Sequence, residues 1–263
     1  MVKIATLQLS GCGGCHIALL DALNNLPELI SKDILEIKYS HMLMDKKTLS
    51  EEVDLLIVEG GVSTTDEEAM LKQCAMFARK IFALGACAGL RGVLTQGNFM
   101  LKEKLLKEYF DENKIPGDDL PEHFEFAHGI DVIVNVDYYH NSCPPDADEL
   151  RDDIAAILRG KEPRFSIKSV CDECPRKRNK DPEKAQDTAT MKRLIEVIPD
   201  EEKCFVDQNI LCLGHATRAG CNAKCPRAGA PCYGCFGSIY VGDRALAPSD
   251  LTYQKKLAKE GEI

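Results

Sequence analysis

Residues 3–23 read KIATLQLSGCGGCHIALLDAL. Lys3 to Leu9 is a short, largely apolar run of the kind that forms a strand. It stops at Gly11-Cys12-Gly13-Gly14-Cys15, a tight glycine-rich loop. From His16 to about Ser31 the apolar residues recur at helical spacing, and Ile17, Leu19, Leu20, Leu23, Leu26 and Leu29 make the predicted apolar face. The unit is strand, cysteine-bearing loop, helix, and its repetition along the chain decides the fold.

The same order recurs downstream. ILEIKYS, about 34–40, predicts a second strand, and Val53 to about Glu59 a third, short, apolar and turn-bounded as a buried parallel strand is. Ser63-Thr64-Thr65-Asp66 offers N-caps for a helix carrying Cys74. KIFALG predicts a fourth strand and runs into Ala86-Cys87-Ala88-Gly89. After a charged, less regular stretch over 98–128, DVIVNVDYY predicts another strand, followed by Cys143-Pro144-Pro145 and a helix from Asp146 to about Leu158. Alternating strands and helices predict an α/β fold over residues 1–160, a doubly wound parallel sheet with helices on both faces. Ligands of such sheets sit outside the carboxyl ends of the strands. Cys12, Cys15, Cys87 and Cys143 all follow strands, and Glu59 ends one, so the topology gathers them at one edge as a candidate cluster site. The neighbouring glycines let backbone N–H groups approach inorganic sulfide. A Cys-x-x-Cys at a strand–helix junction also occurs in thioredoxin-like redox proteins, but that reading leaves Cys87 and Cys143 without a role. There is no GxGxxG after a strand and no Walker loop, so nucleotide binding has no positive signal.

Residues 161–263 change character, toward a loop-rich second domain. Val170-Cys171-Asp172-Glu173-Cys174-Pro175 opens a cysteine-rich part, and residues 175–203 are so charged that they read as a solvated excursion with one short helix, or as a docking surface for a redox partner. Then comes CFVDQNILCLGHATRAGCNAKCPRAGAPCYGC, holding Cys204, Cys212, Cys221, Cys225, Cys232 and Cys235 between Gly, Pro and Ala. Such a segment has too few large apolar residues to build a core alone and needs disulfides, zinc or iron–sulfur clusters. Cys221-x3-Cys225-Pro226 resembles the tail of the bacterial ferredoxin run, whereas the pairs Cys171-x2-Cys174 and Cys232-x2-Cys235 also suit zinc. His215 is a weaker candidate ligand.

The chain has 263 residues, a formal net charge of −9 and thirteen cysteines. The acidic balance disfavours nucleic acid and anionic membrane as partners. No apolar run is long enough for a transmembrane helix, and the N-terminus lacks the features of a secretory signal, so the protein is expected to be cytoplasmic, where thiols stay reduced and dense cysteine points to metal. Cys74 sits among Met70, Leu71, Phe77, Ala78 and Ile81 at helical spacing and reads as a small buried hydrophobe. The other twelve make three sets of four, the number a 4Fe–4S cluster takes. Which cysteines of the second half share a cluster does not follow from their order.

LSGCGGCHIALLD, VEGGV, GACAG, NSCPPDADEL and above all CLGHATRAGCNAKCPRAGAPCYGCFG resemble the small subunit of NiFe hydrogenases. The likeness is to the cytoplasmic type: methyl viologen-reducing and coenzyme F420-reducing hydrogenases of methanogens, and the sulfhydrogenase delta subunit. It runs from about residue 3 to 240. The resemblance implies a flavodoxin-like domain with a proximal 4Fe–4S cluster on Cys12, Cys15, Cys87 and Cys143. It also implies a ferredoxin-like domain with medial and distal 4Fe–4S clusters on Cys171, Cys174, Cys204, Cys212, Cys221, Cys225, Cys232 and Cys235. On the same resemblance Glu59 is expected beside the proximal cluster without ligating it, and His16 is expected to be a neighbouring donor or simply a helix N-terminal residue. The resemblance further implies that the nickel–iron centre belongs to a separate large subunit, so that no catalytic residue is expected in this chain. By the same likeness the chain is expected to conduct electrons to a flavin or iron–sulfur acceptor subunit of heterodisulfide reductase, F420 or NAD(P) type. His215 departs from the CLGPATR common in the family. Two other readings compete. One is a hydrogenase-like electron-transfer subunit of another redox complex whose large subunit lacks nickel; the complex I subunit of similar fold carries one cluster and fits less well, since eight further cysteines follow here. The other is a zinc-stabilised interaction module.

Overall fold

Residues Leu55 to Glu59 are all buried, and alternate side chains serve two different cores. Leu55 and Ile57 pack on one side and Leu56 and Val58 on the other, the period-two signature of a strand covered on both faces. A computed structural model of the chain describes residues 2–24, 34–90, 92–109, 121–163, 166–179 and 191–239. The chain divides into two compact units between residues 163 and 164.

In the first unit the described strands are β1 (Val2–Gln8), β2 (Leu35–Ser40), β3 (Leu55–Glu59), β4 (Val62–Thr64), β5 (Ile81–Leu84), β6 (His123–His128) and β7 (Tyr138–His140). Five of them form one parallel sheet in the order β2-β1-β3-β5-β7. Counting only that sheet's members, the order is 2-1-3-4-5, the flavodoxin-like winding. The described helices are α1 (Gly14–Asn24), α2 (Thr65–Ala75), α3 (Ala86–Leu90), α4 (Lys102–Tyr109) and α5 (Ala147–Leu158). Helices α1 and α5 cover one face, through Ala18, Leu19, Ala22, Leu23, Leu150 and Ile154. Helix α2 covers the other, through Leu71 and Cys74. Thr64 caps α2 in a capping box with Glu67, as the run of Ser and Thr predicts. Asp146 caps α5 through the N–H groups of Asp148 and Glu149.

Three expectations need correction. The apolar face of α1 is rotated: Ile17 and Leu20 are 65% and 40% exposed, while Cys15, Ala18, Leu19, Ala22 and Leu23 face inward. The helix begins at Gly14, and burial of Cys15 at the sheet sets its rotation; Leu26 and Leu29 lie outside the described residues. DVIVNVDYY is not one strand: Ile130–Val132 is a 3-10 turn, Ile133, Val134 and Val136 pack against the core as irregular chain, and only Tyr138–His140 joins the sheet. The stretch over 98–128 is more ordered than its composition predicts, since it holds α4 and β6, which pairs antiparallel with β4.

The second unit has little regular structure: α6 (Val170–Glu173), α7 (Lys224–Arg227), two 3-10 turns and isolated bridges such as Ser169–Arg218 and Thr217–Ser238. Of the charged excursion, residues 180–190 lie outside the described residues; the described part holds a 3-10 turn at Leu194–Glu196. The unit's core is Val170, Phe205, Ile210, Cys212, Ala223 and Cys232. Two of these six are thiols, so apolar burial alone is a weak source of stability here.

Candidate metal centres

The first site is built at the carboxyl ends of β1, β3, β5 and β7. Leu9 N donates to Glu59 O at 2.8 Å, which continues the β1–β3 ladder one step beyond the strand and launches the Gly11–Cys15 loop. Gly85 N donates to His140 O and Ala86 N to Ser142 O, each at 2.8 Å, so the turn that carries Cys87 and the one that leads to Cys143 are tied together. Cys15 is buried, Cys87 half-buried, and Cys12 and Cys143 exposed. Burial first, then the charges of Glu59, Cys87, Cys12 and Cys143, drive the Cys15 thiol far above its ordinary range. Cys143 is raised by burial and by Cys87 and Cys12. Cys12, Cys87 and Cys143, expected at the same sheet edge, are therefore close enough to Cys15 for their charges to oppose its ionisation.

A glycine makes room for them. Gly85 has φ +86°, and a Cβ there would sit 2.3 Å from Cys15 Sγ. Only glycine takes that backbone conformation without strain and leaves the space open. Glu59, expected beside the site, accepts from Cys15 N at 3.2 Å and His16 N at 2.8 Å, and pairs with His16 Nδ1. Burial alone would raise the Glu59 carboxyl, but the hydrogen bonds and charge of His16, with the two backbone donors, hold it below the ordinary carboxylate range.

In the second unit Cys171, Cys174, Cys204 and Cys212 line one small cavity that is partly open to solvent, with Arg176, Phe205 and His215 in its wall. Burial, then Cys204, Cys212 and Cys174, push the Cys171 thiol up to about 11, against the charge of Arg178. A Cβ on Gly214 would touch Cys171 Sγ at 3.5 Å and Cys212 Sγ at 3.7 Å. The other four cysteines follow along the chain. Burial raises Cys221, whose sulfur accepts from the N–H groups of Ala223 and Lys224 and feels Cys232. Ala223 adopts φ +49°, a left-handed turn that aims those N–H groups back at Cys221. Cys232 N donates to Cys212 Sγ at 3.3 Å, so backbone of one group of cysteines supports sulfur of the other.

None of the thirteen cysteines forms a disulfide. Among the described residues no three His, Cys, Asp or Glu side chains converge closely enough to hold a single metal ion. Cysteines grouped at one place without converging on a single-ion site are a donor set suited to an iron–sulfur cluster. Cys74 stands apart, 3% exposed in the core under α2. Sequence reasoning missed Gly85, which was legible only as a loop glycine, and Arg176, whose place depends on Phe205 far along the chain.

A family model described as NADH ubiquinone oxidoreductase, 20 Kd subunit, matches residues 12–157. The match stops short of the second cysteine-rich unit. A full-length comparison goes further: the chain is 42% identical to a vhu-type F420-non-reducing hydrogenase subunit of Methanocaldococcus jannaschii over 243 residues, 90% of this chain and 82% of that one. The chain belongs to the NiFe hydrogenase small-subunit family. It is thus a hydrogenase-type oxidoreductase subunit. A solved NAD+-reducing [NiFe]-hydrogenase in the H2-reduced state is similar with 34% identity and a TM-score of 0.56, covering 62% of this chain and 94% of that chain. A reduced, active Ni-Fe-Se hydrogenase from Desulfomicrobium baculatum, 15% identical, shares the fold over 94% of this chain and 98% of its own, with a TM-score of 0.55. Among the described residues no helix is long and apolar enough to cross a membrane.

Proposed function

We propose that this chain conducts electrons in a NiFe hydrogenase, between a nickel–iron site on a separate large subunit and a flavin or iron–sulfur redox partner. The observation that carries the reading is the grouping of cysteines distant in sequence: Cys12, Cys15, Cys87 and Cys143 at one sheet edge, and Cys171, Cys174, Cys204 and Cys212 around one cavity. The first four would hold a proximal 4Fe–4S cluster, the second four another, and Cys221, Cys225, Cys232 and Cys235 a third. Each such cluster supplies reversible one-electron transfer. The chain's own part is to hold thiolates in fixed positions, donate N–H groups to sulfur and limit water. Glu59 fixes the backbone of Cys15, and Ala223 and Lys224 donate to Cys221. A zinc-stabilised module is less well supported, because thiolate zinc needs four sulfurs about 2.3 Å from one point.

Metal analysis of the anaerobically purified chain tests the reading. About twelve iron and twelve sulfide are expected from three four-iron clusters, with no stoichiometric zinc or nickel. Two zinc atoms and negligible sulfide would overturn it. Hydrogen-dependent viologen reduction by the chain with its co-purified large partner separates a hydrogenase from a complex whose large subunit lacks nickel.

A further inference from the structure

Arg176 occupies the wall of the Cys171–Cys212 cavity in an arrangement that ligand binding does not require. Its guanidinium carbon lies 3.9 Å from the centroid of the Phe205 ring, and Phe205 is 1% exposed in the core of the unit. Its Nε donates to Pro226 O at 3.1 Å, and Nη1 donates to Asp200 O at 2.7 Å and Lys203 O at 3.0 Å. All three acceptors are backbone carbonyls. Among the described residues no carboxylate forms an ion pair with Arg176 or with Arg178, which also lines the cavity. Neighbouring Lys177 and Lys203, by contrast, pair with Glu202 and Asp200. The charge on Arg178 is near enough to favour ionised Cys171. Two cations with no ion-pair partner among the described residues therefore line the cavity with four thiols, in a chain whose net charge is −9.

A fixed positive charge beside an anionic redox site favours its more negative, reduced form, and net charge and solvent exposure are among the factors that set iron–sulfur potentials. We propose that Arg176 and Arg178 raise the reduction potential of the site held by Cys171, Cys174, Cys204 and Cys212. The proposal rests on the reading of that site as an iron–sulfur cluster. The two arginines act differently. Arg176 is half-buried and held rigidly between Phe205 and three carbonyls, so it contributes a constant field. Arg178 is exposed, so salt screens its contribution.

The test is a redox titration of the full cluster-bearing chain followed by electron paramagnetic resonance, with iron counted in every variant. The titration step lost in Cys171→Ser identifies the site. Arg178→Gln should keep its iron and move that step to more negative potential, with a several-fold lower reduced fraction at a fixed poise. Arg178→Glu should move it further, and the gap from the native chain should close as ionic strength rises. Arg176→Lys, which keeps the charge and loses the fork, should hold the potential better than Arg176→Gln. Unchanged potentials in iron-replete Arg178→Gln and Arg178→Glu would overturn the proposal. If the native chain shows no step that Cys171→Ser removes, the cluster reading of this site fails, and the proposal with it.

Discussion

Glu59 and His16 form a buried pair that joins the end of β3 to the first turn of α1. Glu59 Oε2 accepts from His16 N at 2.8 Å and pairs with Nδ1 of the same residue, while Oε1 accepts from Cys15 N at 3.2 Å. Their side chains are 2% and 5% exposed. The first N–H groups of a helix have no partner within it, and a carboxylate there is favoured by the helix dipole as well. The carboxylate therefore does for α1 what a local N-cap does elsewhere, from a strand more than forty residues away. In doing so it fixes the backbone of the one buried cysteine in the first site.

Glu59→Ala should cost about 1–3 kcal/mol, because it leaves the buried N–H donors of Cys15 and His16 without an acceptor. Urea denaturation of the two chains measures it; equal midpoints would refute the role given to the pair. Glu59→Gln should cost less, because the amide oxygen still accepts one N–H. The pH dependence has a definite sign. The folded carboxyl is held below its ordinary value of 4.5, so its contribution is complete above that pH and is lost as pH falls through the lower folded value. The stability gap between the native chain and Glu59→Gln should narrow as pH falls below the ordinary carboxylate range.

Gly85→Ala should be more damaging than an added methyl group ordinarily is. The new Cβ would lie 2.3 Å from Cys15 Sγ on a backbone at φ +86°. Left-handed strain for alanine costs about 1–2 kcal/mol before the clash is counted. Either Cys15 or the Gly85 turn must move, and both belong to the first site. The variant should unfold earlier and retain less iron. Full iron with native stability would mean that the loop yields to the added methyl group without disturbing Cys15.

Cys74 and Cys87 make a paired control. Cys74 is buried between α2 and the sheet, and its thiol is pushed up to about 11 by burial alone. Cys74→Ser should cost about 1–3 kcal/mol for an unsatisfied buried hydroxyl and leave iron untouched. Cys87→Ser should lose about four of twelve iron, one cluster's worth. Equal iron loss in the two variants would contradict the assignment of Cys74 as a packing residue.

Much of the fold was legible because the parallel strands are buried on both faces and read as apolar runs. β3 and β5 are fully buried, and their predicted positions agree with the structure to within two residues. Helix α5 was legible from Asp146, a local cap followed by regular spacing. What failed depends on partners distant in sequence. β4 is three residues long and exists because β6 pairs with it. The run from Asp131 to Val136 has strand composition but spends its apolar residues on irregular core packing. The face of α1 is set by Glu59 and the buried Cys15, not by its own leucines. The cysteines themselves stood out by number and by their glycines and prolines. Their grouping in the second unit did not, because it arises from chain folding around Phe205 and its cavity.

That grouping predicts a pattern in double variants. If Cys171 and Cys204 hold the same cluster, replacing both by serine should lose about four iron, no more than either alone, because the second change acts on a site already empty. Replacing Cys171 together with Cys235 should lose about eight iron, since each change removes a different cluster. The contact from Cys232 N to Cys212 Sγ complicates the outcome in a defined way. It comes from backbone, so Cys232→Ser preserves the donor and should leave the Cys171–Cys212 site filled. Iron counting and sulfide analysis on anaerobically prepared chains give the result. Additive loss in Cys171→Ser/Cys204→Ser, with non-additive loss in Cys171→Ser/Cys235→Ser, would exchange the partition for one in which the two groups interleave, as consecutive cysteines do in two-cluster ferredoxins.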